Sequence, residues 1–225
     1  MRKLVLFDVD GTLVNSPSIG AFDKAINNLH GLKVQAKHKE IAGLTDRLIL
    51  SLLLEGEGWE SSRIKTHLPA LIKELEQVYL QNFVKGSVQL LPGVRELLVA
   101  LKKHGVTLGL ITGNLRTIAR TKLEDVGIWS YFTTGDLGSD PHIKRSELVF
   151  IAVKEAGFSL NDRGVYVIGD TPRDIQAASE VGVINKVGVA SNLHSAKELQ
   201  EAGANIVFND FKDTKAVLKA FGFTE

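Results

Sequence analysis

Two aspartates follow directly on a short apolar run near the start of the sequence. Asp8 and Asp10 come after residues 4–7, and Gly11 then allows the chain to turn away. Side chains two residues apart on an extended chain point the same way, so the two carboxylates share one place. Two like charges this close are unfavourable unless a cation is shared. The motif therefore predicts a bound Mg²⁺. An Asx turn is the alternative, whereas a calcium loop is excluded because Ile19 stands where it needs a glutamate.

Two further polar clusters follow later apolar runs. The segment Thr112–Asn114 follows residues 106–111 and offers a hydroxyl and backbone N–H groups to an anion at the start of a helix. Asp170 and Asp174 follow residues 165–168 at the entry to another helix. Each cluster alone could be an ordinary helix cap. Because the carboxyl ends of parallel strands meet at one edge, the clusters together predict a site for phosphate and a hard cation, Mg²⁺ rather than zinc or copper.

The elements that must position these residues alternate between strands and helices. Five short runs are apolar on both faces, which is typical of buried parallel strands. They are residues 4–7, 106–111, 165–168, 183–189 and 206–208. Helical patterns lie between them, and Asn114 is predicted to cap the one that carries Ile118 and Leu123. The alternation predicts an α/β fold with a doubly wound parallel sheet, a Rossmann-like core.

One long segment interrupts this alternation. Residues 17–85 contain no convincing strand, only amphipathic helical patterns at 19–29, 44–54 and 64–83. A long excursion directly after a strand needs a small core of its own. We therefore predict an α/β core made of residues 1–14 and 86–225. An inserted α-helical cap, residues 15–85, would lie beside the ligand crevice.

Composition and charge exclude several classes of function. The 225 residues include 27 Lys and Arg against 26 Asp and Glu, so no basic excess indicates a nucleic-acid partner. The lack of cysteine excludes disulfides, thiolate metal sites and a cysteine nucleophile. No apolar run approaches the ~20 residues that a membrane helix needs, and the start of the chain has no apolar signal segment. We expect a cytoplasmic monomer or homodimer with no membrane partner.

The motifs resemble those of the haloacid dehalogenase-like hydrolase superfamily, and the resemblance covers nearly the whole chain. The matching positions are Asp8–Thr12, Thr112, Lys144 and the run from Gly169 to Asp174. The helical insert resembles the cap of the phosphoglycolate phosphatase and β-phosphoglucomutase branch. The resemblance implies a Mg²⁺-dependent phosphatase that acts on a small phosphorylated metabolite such as phosphoglycolate, a sugar phosphate or a nucleotide.

The same resemblance implies a role for each motif residue. Asp8 would be the nucleophile that becomes an aspartyl phosphate, and Asp10 would be the general acid and base. Thr112, with Gly113 and Asn114, would hold the phosphoryl oxygens. The metal would be held by Asp8, the backbone carbonyl of Asp10, Asp170 and Asp174. This chemistry also requires Asp8 to be ionised while Asp10 is protonated, so their environments have to separate the two pKa values.

The third motif departs from the family pattern. The family commonly has a Lys followed by Pro-x-Pro, whereas this chain reads His142-Ile143-Lys144-Arg145-Ser146 without a proline. Lys144 fits the residue type and Arg145 fits the spacing to the fourth motif. We favour Lys144 as the base that neutralises the phosphate, although either residue could instead face solvent at the start of a helix.

Substrate choice is predicted to lie in the insert, around Arg47. Gly43 permits a tight turn there and Thr45 can begin a helix. Arg47 is the side chain in this segment that can fork onto a carboxylate or a second phosphate. The alternative is a surface arginine paired with Asp46 or Glu40.

Two other functions remain open at this stage. A phosphomutase would use the same site but return the phosphoryl group to the same sugar. A phosphate-responsive regulatory protein would keep the site without turnover, although the intact acid at Asp10 argues against a long-lived aspartyl phosphate. Asp10 also argues against dehalogenation, since the dehalogenases of this superfamily lack this second aspartate.

Overall fold

The computed structural model describes residues 2–17, 20–135, 138 and 144–223. Its strands, in chain order, are β1 Leu4–Phe7, β2 Val14–Asn15, β3 Gln89–Leu90, β4 Thr107–Leu110, β5 Val165–Gly169, β6 Asn185–Val189 and β7 Ile206–Phe208. Five of them form a parallel sheet in the order β4-β1-β5-β6-β7, and β2 pairs with β3 as a separate antiparallel ribbon. The five predicted strands are therefore present, whereas β2 and β3 are too short to leave a sequence pattern.

The register of the sheet aligns the ends of three neighbouring strands, β4, β1 and β5. Phe7 of β1 lies opposite Leu110 of β4 on one side and Ile168 of β5 on the other. The residues that follow these strands therefore emerge at the same edge. This edge carries Asp8, and beside it Asp170.

Helices cover both faces of the sheet. Those of the α/β core are α5 Val94–Lys103, α6 Arg116–Asp125, α7 Arg145–Glu155, α8 Pro172–Glu180, α9 Ala196–Glu201 and α10 Thr214–Ala220. Alternate residues of β1 enter different hydrophobic clusters: Val5 and Phe7 pack with α5 and α10, whereas Leu4 and Leu6 pack with α7 and α8. The predicted doubly wound α/β core is confirmed.

The segment between β2 and β3 is helical throughout its regular elements. It contains α1 Ala21–His30, α2 His38–Ile41, α3 Asp46–Gly56 and α4 Ser61–Asn82. These helices bury a cluster of their own, which includes Ile26, Leu50 and Leu71 and continues onto Leu115 and Ile118 at the start of α6. We call this segment the cap. Its core therefore rests on the helix that follows the predicted phosphate loop.

Among the described residues, no helix combines the length and the apolar character needed to cross a lipid bilayer.

Candidate active site

Three buried carboxylates converge at the carboxyl edge of the sheet. Asp8 follows β1, Asp170 follows β5, and Asp174 lies in the first turn of α8. One oxygen from each lies within 4.8 Å of the others, and this is the group of potential metal ligands among the described residues. Gly11 has a φ of 78°, and a Cβ at this position would collide with the carboxylate of Asp170. The glycine of the first motif thus permits the close approach of the two loops.

Burial and mutual repulsion disfavour charge on two of these groups. Burial raises the pKa of Asp8 to about 7, with Asp174 and Asp10 adding to the rise and Arg145 opposing it. Burial also raises the pKa of Asp170 to about 8, with further contributions from Asp8 and Asp174. A cation at this point would relieve the repulsion among the three carboxylates.

The oxygens of the cluster are not equally engaged. Asp170 Oδ1 is buried and has no hydrogen-bond partner among the described residues. Asp174 Oδ2 instead accepts hydrogen bonds from the backbone N–H of Thr171 at 3.0 Å and from its hydroxyl at 2.7 Å, and Oδ1 contacts Arg145. The set consists of hard oxygen donors and includes one buried oxygen without a partner, which fits Mg²⁺. Asp170 therefore has an oxygen available to bind a metal ion, whereas both oxygens of Asp174 already contact neighbouring residues.

The cation beside the cluster is Arg145 rather than Lys144. Arg145 is 8% exposed, and its Nη2 lies 2.6 Å from Asp8 Oδ1 and also contacts Asp174. Lys144 is exposed and stands at the N-cap of α7, with an extended backbone. The preference for Lys144 was therefore wrong as to which side chain enters the site. Helix α7 begins at Arg145, and this change of backbone conformation directs the second of the two basic residues inward.

A second buried cation lies on the other side of the crevice. Lys122 of α6 is 7% exposed, and its Nζ donates to Asp10 Oδ2 at 2.6 Å and to Asn114 Oδ1 at 2.7 Å. The hydroxyl of Ser16 donates to Asp10 Oδ1 at 2.7 Å. Burial alone would raise the pKa of Asp10, but these partners, with Lys122 foremost, hold it below its usual value. In the metal-free protein the pKa of Asp8 thus lies above that of Asp10, which is the opposite of the order that the predicted chemistry requires.

Sequence reasoning missed Lys122, although a signal was present. Ile118 and Lys122 are four residues apart on α6, and so lie on one helix face. Both line the crevice. Lys122, on the helix that directly follows the predicted phosphate loop, was therefore a candidate for the site.

The predicted phosphate loop is in contact with the cap. Thr112 is buried, and its hydroxyl oxygen accepts from the N–H of Asn114 at 3.2 Å. The N-cap of α6 is Leu115 rather than the predicted Asn114, whose side chain is bonded to Lys122. The N–H of Leu115 donates to Asp46 Oδ2 of the cap at 2.7 Å, and the N–H of Asp46 donates to the carbonyl of Gly113 at 2.8 Å.

A crevice of about 730 Å³ runs from the carboxylate cluster into the cap. Asp46 and Ile49 of α3 line it, and Arg47 does not. Thr45 forms the N-cap of α3 and its hydroxyl accepts from the N–H of Leu48 at 3.3 Å, so the helix phase directs Asp46 and Ile49 to the crevice. The structure therefore does not place Arg47 where it was predicted to read the substrate.

Comparisons with known proteins agree with this architecture. The family model for haloacid dehalogenase-like hydrolases matches residues 5–188. The probable phosphatase IndB of Dickeya dadantii is 28% identical, over 95% of this chain and 92% of that protein. A phosphoglycolate phosphatase of Photorhabdus laumondii is 24% identical, over 94% of this chain and 90% of that protein. The crystal structure of a β-phosphoglucomutase from Clostridium difficile shares the fold, with a TM-score of 0.73 at 17% identity, over 99% of this chain and 98% of that one.

The range matched by the family model contains each of the convergent loops. It includes Asp8 and Asp10 after β1, Thr112 after β4, Arg145 at the start of α7, and Asp170 after β5. Because the match extends over most of the chain and its relatives are phosphatases, the chain belongs to the haloacid dehalogenase-like hydrolase family and is a phosphoric monoester hydrolase.

Proposed function

We propose that the protein is a Mg²⁺-dependent phosphatase that hydrolyses a small phosphorylated metabolite through an aspartyl phosphate on Asp8. The observation that carries the proposal is the pairing of buried Asp8 with Arg145, next to an unpartnered oxygen of Asp170. Asp8, Asp170 and the backbone carbonyl of Asp10 would hold the metal, with Asp174 supporting them. When bound, Mg²⁺ supplies the positive charge that screens the repulsion between a carboxylate nucleophile and a phosphate.

The first half of the reaction transfers the phosphoryl group to the protein. An oxygen of Asp8 attacks phosphorus, the bond from phosphorus to the leaving oxygen breaks, and Asp10 passes a proton to that oxygen. Arg145 neutralises charge on Asp8 and on the phosphoryl oxygens. Lys122 holds the pKa of Asp10 low in the absence of substrate, so Asp10 has to gain a proton, from a monoanionic phosphate ester or from water, before it can donate one.

The second half releases phosphate. A water molecule attacks phosphorus, its proton passes to the carboxylate of Asp10, and the bond between Asp8 and phosphorus breaks. Ionised Asp10 is the form that this step needs. Thr112 and Gly113 would hold the phosphoryl oxygens in both steps.

The test is release of inorganic phosphate from a panel of phosphorylated metabolites in the presence of Mg²⁺. Asp8→Asn should fold normally yet lose at least ~10³-fold in turnover, because Asn cannot form the acyl phosphate. Retention of a tenth of the activity would contradict the proposal.

The same panel separates the phosphatase from the other two candidate functions. Conversion of a sugar phosphate into its isomer without free phosphate would identify a phosphomutase. Stable phosphorylation of Asp8 without turnover would identify a regulatory protein. The intact acid at Asp10, which the crevice reaches, argues against a regulatory protein with a long-lived aspartyl phosphate. A phosphomutase would use the same residues, so the detection of free phosphate decides between it and the phosphatase.

A further inference from the structure

The part of the crevice beyond Asp8 is built mainly by apolar side chains. From the cap come Phe22 of α1, Ile49 of α3, and Leu75 and Tyr79 of α4, and from the core comes Ile118 of α6. All but the half-buried Phe22 are buried among their neighbours. We call these five side chains the apolar wall. The carboxylate cluster and Arg145 form the end of the crevice that would bind the phosphoryl group, so the group attached to the phosphate must lie against this wall.

The charges along this wall are negative. Among the described cap residues that line the crevice, the charged ones are Asp23 and Asp46, and none is Lys or Arg. Asp23 accepts from the N–H of Ala36 at 2.9 Å. The wall therefore offers carboxylates, and no cap cation, to an incoming group.

The cations of the core side are already paired with catalytic carboxylates. Within the described parts of the chain, those lining the crevice are Lys122 and Arg145. Lys122 is bonded to Asp10 and Arg145 to Asp8. A second anion on the substrate would have to compete with these aspartates, or else be buried without a counterion, and both are unfavourable.

We infer that the substrate is the phosphate monoester of an uncharged alcohol, whose carbon framework packs against Phe22, Leu75 and Tyr79. This inference rests on the proposed phosphatase function and specifies its substrate class. The volume of about 730 Å³ is of the size that holds small ligands. An uncharged leaving group excludes phosphoglycolate as the preferred substrate, because the leaving group of phosphoglycolate carries a carboxylate.

Matched pairs of substrates test the inference. Hydroxyethyl phosphate has an alcohol in place of the carboxylate of phosphoglycolate, and phenyl phosphate has a hydrogen in place of the carboxylate of para-carboxyphenyl phosphate. With Mg²⁺ present, kcat/KM should favour the neutral member of each pair by at least about tenfold, because the added carboxylate faces two aspartates. Equal rates, or a preference for the charged member, would overturn the inference while leaving the phosphatase function standing. No phosphate release from any of the four would overturn both.

A charge introduced into the wall gives a second measurement. Phe22→Lys should move the ratio of each pair toward the charged member by at least about fivefold, since it supplies the missing counterion. Phe150→Lys is the matched control, because Phe150 is exposed on α7 and does not line the crevice. An unchanged ratio in folded Phe22→Lys, checked by its melting temperature, would contradict the placement of the leaving group at this wall.

A different observation concerns Asp46. Helix α6, which follows the phosphate loop, has Leu115 at its N-cap and so lacks a capping side chain of its own. Buried Asp46 of the cap provides the acceptor instead, and its own N–H holds the carbonyl of Gly113. Asp46 of the cap therefore contacts the predicted phosphate loop at Gly113 and the helix start directly after the loop at Leu115.

We also infer that Asp46 is a positioning residue, which couples the docking of the cap to the geometry of the phosphate loop. This too rests on the proposed function. Loss of a capping side chain weakens a helix start by a factor of roughly three to thirty. Binding of inorganic phosphate should weaken by a similar factor in Asp46→Ala.

The conservative variant Asp46→Asn distinguishes positioning from a general structural role. Asn retains an oxygen that can accept a hydrogen bond from the N–H of Leu115. Inorganic phosphate should therefore inhibit Asp46→Asn almost as strongly as it inhibits the parent protein. Unchanged phosphate inhibition in Asp46→Ala would refute the inference. So would a folded Asp46→Asn that binds phosphate poorly, and this second measurement remains decisive where Asp46→Ala fails to fold.

Discussion

The adjacent pair Lys144 and Arg145 allows a sharp test of the site, since one side chain is exposed and the other is buried between two carboxylates. Arg145→Ala would leave Asp8 and Asp174 facing each other without a cation. In the proposed reaction Arg145 also meets the charge on the phosphoryl oxygens, so its loss removes transition-state binding, and truncation of one partner of a buried charge contact costs about 3–5 kcal/mol. At about 1.4 kcal/mol for each factor of ten, kcat/KM should fall by a hundredfold to several thousandfold. Lys144→Ala should change it by less than about threefold.

The pH dependence of the same variant provides an independent check. Arg145 opposes the burial that raises the pKa of Asp8, so its loss raises that pKa further. Because the proposed attack requires ionised Asp8, the acidic limb of the kcat/KM profile should move to higher pH in Arg145→Ala and stay in place in Lys144→Ala. Arg145→Lys keeps the positive charge but loses the guanidinium group that can contact two carboxylates at once. Its acidic limb should therefore lie between those of Arg145→Ala and Lys144→Ala. A larger loss in Lys144→Ala than in Arg145→Ala would refute the assignment.

Three further outcomes are expected. The raised pKa values of Asp8 and Asp170 mean that the metal-free folded state keeps protons that the unfolded state releases, so its melting temperature should fall as pH rises from about 4 to about 8. Mg²⁺ should therefore raise the melting temperature more at pH 8 than at pH 5, and an equal effect would contradict this account. Asp170→Asn should reduce the Mg²⁺-induced rise more than Asp174→Asn, whose oxygens are already engaged; the reverse ranking in the same melts would reassign the ligand. Lys122→Met should lower kcat for every substrate through Asp10, whereas loss confined to one substrate would show that Lys122 binds the leaving group.

The α/β core could be predicted because its strands are apolar on both faces. Such runs have few alternatives in a chain of this size, and residues 4–7 and 165–168 emerged as strands with nearly the predicted limits. The alignment of the strand ends then follows from parallel pairing, so it could be anticipated that Asp8 and Asp170 lie together. In this part of the molecule, local pattern and global fold agree.

The orientation of single side chains at helix starts could not be predicted in the same way. Lys144 and Arg145 are neighbours of similar chemistry, and a one-residue shift in the start of α7 would exchange which of them enters the site. Arg47 shows the same limitation, because Thr45 sets the phase of α3 and thereby directs Asp46 to the crevice. Each residue along a helix is rotated by about 100° from the previous one, so residue type and spacing alone leave such choices open.

The two ends of the crevice also differ in how well sequence similarity predicts their function. The proposed phosphoryl end is formed by short motifs at strand ends, so relatives that keep these motifs are expected to share the reaction. The wall that meets the leaving group is assembled from α1, α3, α4 and α6, whose lining residues are far apart in the chain and follow no fixed spacing. A change of one such residue between arginine and phenylalanine would alter the charge of the accepted substrate without disturbing any motif. Relatives at 24–28% identity can therefore share the chemistry of Asp8 and differ in substrate.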